Sequence, residues 1–165
     1  MSNLRIYNTF KTIFGNLNIL IENHKICEIN FNSEYSPKTI SNQKTFEFDI
    51  RKIFSPDNLD IPIKFIGTEF QIKVWQAVRT IPFGKTVSYN DIANLIHQPK
   101  AIRAVANAIA QNKLAYLVPC HRIIKKTGAI HKYRWGNDLK VKLLDWEKNH
   151  IENNLDMRSE LLSNS

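Results

Sequence analysis

This chain of 165 residues predicts a mixed α/β fold of the α+β kind: a small strand-rich N-terminal domain, then a helical domain. Three observations carry that reading. Residues 4–31 alternate apolar and polar side chains between turn formers, the period of half-buried strands. Two capping boxes, Thr68 to Gln71 and Ser88 to Asp91, each open an apolar run at helical spacing. Between the two regimes, Ser55-Pro56-Asp57-Asn58 through Pro62 is turn-rich and reads as a connector. The expected division is a strand-rich domain with connector over 1–62, a helical domain over 63–150 and a polar tail over 151–165.

In the first region Arg5-Ile6-Tyr7 leads into Thr9-Phe10, and Gly15-Asn16 turns the chain. Leu17–Ile21 forms a second strand and Glu22–Lys25 a second turn. Ile26–Phe31 then resumes the alternation, with Ile26, Glu28 and Asn30 on one face and Cys27, Ile29 and Phe31 on the other. That register makes Cys27 a core residue. A short helix or strand is expected at Lys44–Phe54.

In the second region Phe70, Val74, Ala77, Val78 and Ile81 share one helix face, and Pro82-Phe83-Gly84 ends that helix. The next helix is short, burying Ile92, Leu95 and Ile96 before Gln98-Pro99 breaks it. Pro99 then suits the first turn of a third helix over about Lys100–Gln111. This helix presents Ala101, Val105, Ala108 and Ile109 on one side and Lys100, Arg103, Asn107 and Gln111 on the other. Helix, tight break, helix with a polar face is the helix-turn-helix pattern of nucleic-acid binders. The third helix is rich in alanine, so its backbone could approach a narrow groove closely. Arg103 is the long cation near its centre, placed to enter the minor groove or the base stack. A closing helix over Asp138–Lys148 buries Leu139, Leu143, Leu144 and Trp146, and residues 149–165 read as a frayed tail.

A formal charge of +8 favours a polyanionic partner. Two cysteines far apart, with no CxxC or HxxxH spacing, give neither a disulfide framework nor a zinc site, and no metal or cofactor is expected. A reducing cytoplasmic compartment fits free thiols. No signal-peptide pattern and no run of about 18 apolar residues occurs, so a soluble protein without membrane association is expected.

The chemistry centres on Leu117-Val118-Pro119-Cys120-His121-Arg122-Ile123. Its apolar flanks predict an extended, half-buried segment holding the sulfur at a pocket floor. A free thiol titrates near 8.5, and an adjacent His or Arg can lower that value and supply the thiolate. A basic loop follows, with Lys125, Lys126, His131, Lys132 and Arg134 around Gly128.

Over residues 64–148 the chain resembles the O6-alkylguanine-DNA alkyltransferases, suicide DNA-repair proteins. The resemblance rests on Gly67-Thr68-Glu69-Phe70-Gln71, Val74-Trp75, Ile81-Pro82-Phe83-Gly84, Ser88-Tyr89, Pro99 through Val105, Asn112, Pro119-Cys120-His121-Arg122 and Glu147. It implies a ribonuclease H-like N-terminal domain before a winged helix-turn-helix-like domain that binds double-stranded DNA carrying O6-alkylguanine, as a monomer. Cys120 would take the alkyl group, His121 would act as base through a water, and Glu147 would orient the imidazole. Tyr89 would hydrogen-bond the base or its phosphate and help the leaving guanine accept a proton. Asn112 would brace the turn below the cysteine, and Arg103 would fill the gap left by the extruded nucleotide. Lys100, Ala104 and Asn107 on the third helix, with Tyr133, would complete the DNA contacts, backbone groups near Ile123 and Arg134 would read the base edge, and Arg122 would contribute structure or a phosphate contact rather than chemistry.

The sequence departs from that family where Tyr133-Arg134-Trp135-Gly136 replaces a tyrosine, a small residue and two glycines, which predicts poorer tolerance of bulky adducts. Ala106 stands where glycine is common and Lys113 where proline is usual. No cysteine cluster offers the zinc-binding module attached to some relatives. Three alternatives remain at this level: a damage-sensing relative that binds without repairing, a thiol hydrolase, and a transcription factor.

Overall fold

The computed structural model describes residues 5–32 and 49–153. Three antiparallel strands, β1 (Arg5–Thr12), β2 (Gly15–Glu22) and β3 (Lys25–Asn32), pair in sequence order. Leu17 faces Phe31 and Ile19 faces Ile29 across β2 and β3, so one face of the sheet is apolar and buried. The first turn falls at Ile13-Phe14, ahead of the expected Gly15-Asn16. There Thr12 closes it, its hydroxyl donating to the Gly15 carbonyl at 2.8 Å and accepting from Phe14 N at 3.1 Å. The second turn uses Asn23 and His24, both at positive φ, as a two-residue hairpin requires. Ile26 was expected beside Glu28 and Asn30 but is buried. A bulge at Leu20/Ile21 shifts its register, and its backbone pairs with Pro62 and Lys64 beyond the connector.

Of the element expected at 44–54, residues 44–48 lie outside the described chain, and the rest is one 3-10 turn at Ile50–Lys52. A second such turn spans Asn58–Asp60. Ile50, Ile53 and Phe54 ahead of the connector and Ile61 within it are buried, so the whole segment 49–62 contributes to the core.

The helices follow the capping signals. Thr68 and Gln71 cap α1 (Glu69–Arg79), which buries Val74, Trp75, Ala77 and Val78. Ser88 and Asp91 cap α2 (Tyr89–Leu95) after a short strand β4 (Val87–Ser88). Leu95, expected inside, is 52% exposed, since α2 ends there and only Ile92, Ala93 and Ile96 face inward. The third helix, α3 (Ile102–Ala110), starts later than expected, and Pro99 and Lys100 lie in the turn before it. That turn closes from Ala101 N to the Gln98 carbonyl, leaving Pro99 outside the helix. Trp75 Nε1 donates to the Ala108 carbonyl at 2.8 Å, fixing α1 against α3. Gly67 permits this packing, because a Cβ there would fall 2.6 Å from the Trp75 ring.

β5 (Ile123–Ile124) pairs in parallel with β4. The last helix, α4 (Asn137–Asn153), runs past the expected end at Lys148, and His150 is buried on it. Residues 149–153 are therefore helix rather than frayed tail, and 154–165 lie outside the described residues. Sheet, connector and helices share one apolar core. β3 also reaches the segment before the cysteine: Ile29 N donates to the Lys113 carbonyl at 2.9 Å and Ala115 N to the Ile29 carbonyl at 3.0 Å. The mixed α+β architecture is the one the sequence predicts. No helix among the described residues is long and apolar enough to cross a membrane.

Candidate active site

Residues Leu114 to Ile123 are all buried, and Cys120–Arg122 form a 3-10 turn, not the extended half-buried strand expected from the flanking residues. Pro119 starts the turn and the Arg122 amide closes it onto the Pro119 carbonyl. Cys120 is 6% exposed, yet it lines a cavity of about 220 Å³. Tyr89 at the start of α2, the C-terminal half of α3 and the loop from His131 to Trp135 form the walls.

Asn112 organises the floor. Its Nδ2 lies 3.1 Å from Cys120 Sγ and 3.1 Å from the Val118 carbonyl, while its Oδ1 accepts from Leu114 N at 2.9 Å. Burial pushes the Cys120 thiol up to about 12, although the Asn112 amide and the Lys140 charge pull it back. This reverses the expectation that neighbouring cations would lower it. The reason is desolvation, and the Arg122 guanidinium is committed to Glu147 and the Ile81 carbonyl.

Arg122 donates to Glu147 from Nε at 2.9 Å and Nη2 at 2.6 Å, and from Nη1 to the Ile81 carbonyl at 2.8 Å. At 6% exposed it is the buried counter-ion of Glu147, which is the structural role of the two expected for it. Glu147 Oε1 also meets His121 Nε2 at 2.9 Å and accepts from Tyr116 Oη at 3.0 Å. Oε2 accepts from the Gly84 amide at 3.2 Å. Burial alone would raise this carboxyl, but His121 and Arg122 outweigh it and hold it at about 2. Desolvation lowers His121 against the pull of Glu147, favouring a neutral ring. With Nε2 donating to Glu147, Nδ1 is a buried acceptor that no group among the described residues occupies.

Two further residues of this site were not legible locally. Lys140 on α4 is 1% exposed, and its Nζ donates to the carbonyls of Ile123 and His131. Burial brings it down to about 8, countered by Cys120. The Ile123 carbonyl accepts from this amine, and the Ile123 side chain is buried. The one sequence signal was a lysine on the face of α4 that also carries Leu143 and Glu147. Tyr116 gave no such signal.

The remaining residues divide by position. Lys100, Arg103, Ala104 and Asn107 are exposed on or beside α3, on the cavity side of the fold in the case of Asn107. Tyr133 is buried against the cavity, and Arg134 Nη1 donates to the Asn112 carbonyl at 2.8 Å. Trp135 donates from Nε1 to Asn30 Oδ1 on β3 at 3.3 Å. Among the described residues no group of His, Cys, Asp and Glu could hold a metal ion.

A thiol on an aromatic-walled pocket, followed by a His bonded to a buried Glu and beside a helix-turn-helix, is the arrangement of a protein with a cysteine nucleophile. Residues 69–149 match the family described as 6-O-methylguanine DNA methyltransferase, DNA binding domain. The chain is 50% identical over 91 residues to an inducible methylated-DNA–protein-cysteine methyltransferase of Bacillus subtilis, covering 55% of this chain and 51% of that protein. An O6-methylguanine methyltransferase of Mycobacterium tuberculosis superposes with a TM-score of 0.76 at 30% identity, covering 88% of this chain and 94% of the other. A Mycobacterium tuberculosis OGT in complex with DNA gives a TM-score of 0.70 at 29% identity, over 87% and 92% of the two chains. The chain belongs to the O6-methylguanine-DNA methyltransferase family. It spans about half the length of the Bacillus protein and about a third of some other curated relatives.

Proposed function

We propose that this protein repairs DNA by moving an alkyl group, methyl above all, from O6 of guanine to Cys120, once per molecule. The observation that carries the reading is Cys120 on the floor of the pocket, followed in the same turn by His121, whose neutral ring is held by the Glu147 carboxylate. In the free protein the thiol is protonated. His121 Nδ1 takes its proton through a water as the substrate docks, and the charge left on imidazole is balanced by Glu147. The thiolate attacks the alkyl carbon, the carbon–O6 bond breaks, and its electron pair leaves with guanine. Guanine takes a proton from Tyr89 on the pocket wall, and the proton held by His121 replaces it by way of water. The net change replaces the thiol hydrogen by the alkyl group and restores the base.

The target atom is not accessible inside a duplex, so the nucleotide must rotate into the pocket. The small, alanine-rich outer face of α3 lets the backbone approach a groove, and exposed Arg103 takes the vacated place in the stack. Lys100 and Asn107 hold the flanking strand. The protein acts on double-stranded DNA as a monomer in the cytoplasm, where Cys27 and Cys120 stay reduced. A thioether is not hydrolysed by imidazole, which makes the reaction single-turnover.

Intact mass before and after incubation with duplex DNA containing O6-methylguanine tests this reading. One methyl, mapped to Cys120 and absent from Cys120→Ser, is the expected result. Tight binding with an unchanged mass would assign the chain to the damage-sensing, non-repairing alternative, and repeated turnover would reject the stoichiometric mechanism.

A further inference from the structure

Tyr116 is the residue whose geometry the repair chemistry has not used. It sits in the left-handed region at φ +69°, where a bulky side chain is a genuine outlier. It is also 1% exposed, so the strain is held by its surroundings. The strained backbone aims the phenol at two catalytic groups at once. Its hydroxyl donates to Glu147 Oε1 at 3.0 Å, and its ring stacks on His121 at 4.8 Å between centroids and 21° between planes.

With the Arg122 guanidinium 5.7 Å over it, the same ring is also packed from the N-terminal half. Phe54 lies 4.6 Å from Tyr116, and Phe14, in the first hairpin turn, stacks on Phe54 at 5.7 Å. A column of four rings thus runs from the hairpin through the connector to the catalytic imidazole.

We propose that Tyr116 is a positioning residue of the alkyl-transfer site, fixing the plane and tautomer of His121, and that the N-terminal half acts in the reaction by seating it through Phe54. This rests on the repair reading. The stack prevents the imidazole from rotating away from Glu147, and Nε2 therefore keeps the donor role. Withdrawing charge from Glu147 Oε1, the phenol hydroxyl also weakens the hold of that carboxylate on an imidazolium proton. The groups that bear on His121 are Glu147 and Lys140 from α4, Arg122 and Cys120 beside it, and Tyr116. Desolvation keeps the Tyr116 hydroxyl protonated well beyond the ordinary tyrosine range, so it remains a donor at every working pH.

The test is the pH profile of single-turnover methyl transfer from O6-methylguanine in duplex DNA, for wild type, Tyr116→Phe and Phe54→Ala, with thermal unfolding of each. Tyr116→Phe keeps the stack and loses the donor. Glu147 then holds the imidazolium more strongly, so the acid limb moves to higher pH: a several-fold loss of rate near pH 6 and less than two-fold near pH 8. Phe54→Ala lowers the rate at all pH values, with a larger loss than Tyr116→Phe shows at pH 8. A Tyr116→Phe protein that stays folded and reproduces the wild-type profile would overturn the hydroxyl's role. A folded Phe54→Ala protein with the wild-type rate would overturn the seating role. If wild type itself takes no methyl, the repair reading fails first, and the two failures remain distinct.

Discussion

Asn112 Nδ2 and Cys120 Sγ lie 3.1 Å apart, so one buried amide both braces the turn and donates to the sulfur. The same side chain satisfies Leu114 N and the Val118 carbonyl, neither of which can reach water. Asn112→Ala should cost about 1–3 kcal/mol of stability, the penalty for orphaned buried groups. It should also slow methyl transfer by removing a donor to the developing thiolate. Urea unfolding and single-turnover rates measure the two effects.

Removing the carboxylate at Glu147 leaves Arg122 charged and buried. Glu147→Gln should destabilise the protein by roughly 3–5 kcal/mol, as broken buried pairs do. The folded carboxyl is held at about 2 against an ordinary value of 4.5, so its contribution is present above about pH 4.5 and is lost as pH falls towards 2. Glu22 on β2 titrates in the same window, bonded to Arg5 and Lys64. The difference between wild type and Glu147→Gln, read from acid unfolding curves, isolates Glu147.

Lys140 has the opposite sign. Its folded value is about 8 against 10.5, so between those values the unfolded chain binds more protons and stability rises with pH. The rise is on the order of 3 kcal/mol. Cys120, raised from 9.0 to about 12, works against it over the upper part of that range. Because the two groups act on each other, the comparison is made in a Cys120→Ser background, with and without Lys140→Met, and denaturant midpoints from pH 7 to pH 11 supply both curves.

Trp135 stands in the pocket wall, with Arg134 over its ring at 5.6 Å and Asn30 accepting from its indole. Wild type should methylate Cys120 from O6-methylguanine faster than it accepts a benzyl group from O6-benzylguanine. Trp135→Gly should raise the benzyl rate at least about tenfold, equivalent to about 1.4 kcal/mol of barrier, and leave the methyl rate nearly unchanged. Equal wild-type rates for the two adducts would remove the ring from any role in selection.

Arg103 is exposed on α3 and touches none of the reacting groups. Arg103→Ala should therefore slow repair in duplex DNA far more than attack on free O6-benzylguanine. The paired rates decide it, and binding to duplex should weaken steeply with salt for both proteins.

Much of this architecture was legible because it is local. Thr68 with Gln71 and Ser88 with Asp91 mark both helix starts at the residues where α1 and α2 begin. Leu17, Ile19, Ile29 and Phe31 carry the sheet alternation. What escaped depends on partners far along the chain. Tyr116 meets Glu147 across 31 positions and Trp135 meets Asn30 across 105, and no periodicity encodes such pairs. Lys140 looks like a surface residue until the carbonyls of Ile123 and His131 close around its amine. The raised thiol belongs to the same class, since adjacency in sequence says nothing of how deeply the tertiary fold buries Cys120.

The backbone ties between Ile29 and the Lys113–Ala115 segment bear on how the molecule comes apart. A strand of the first hairpin pair holds the peptide that leads into the nucleophile, so melting the sheet releases that peptide too. Heat should therefore erase amide protection in both halves together, and a fragment beginning at residue 63 should arrive without a rigid thiol.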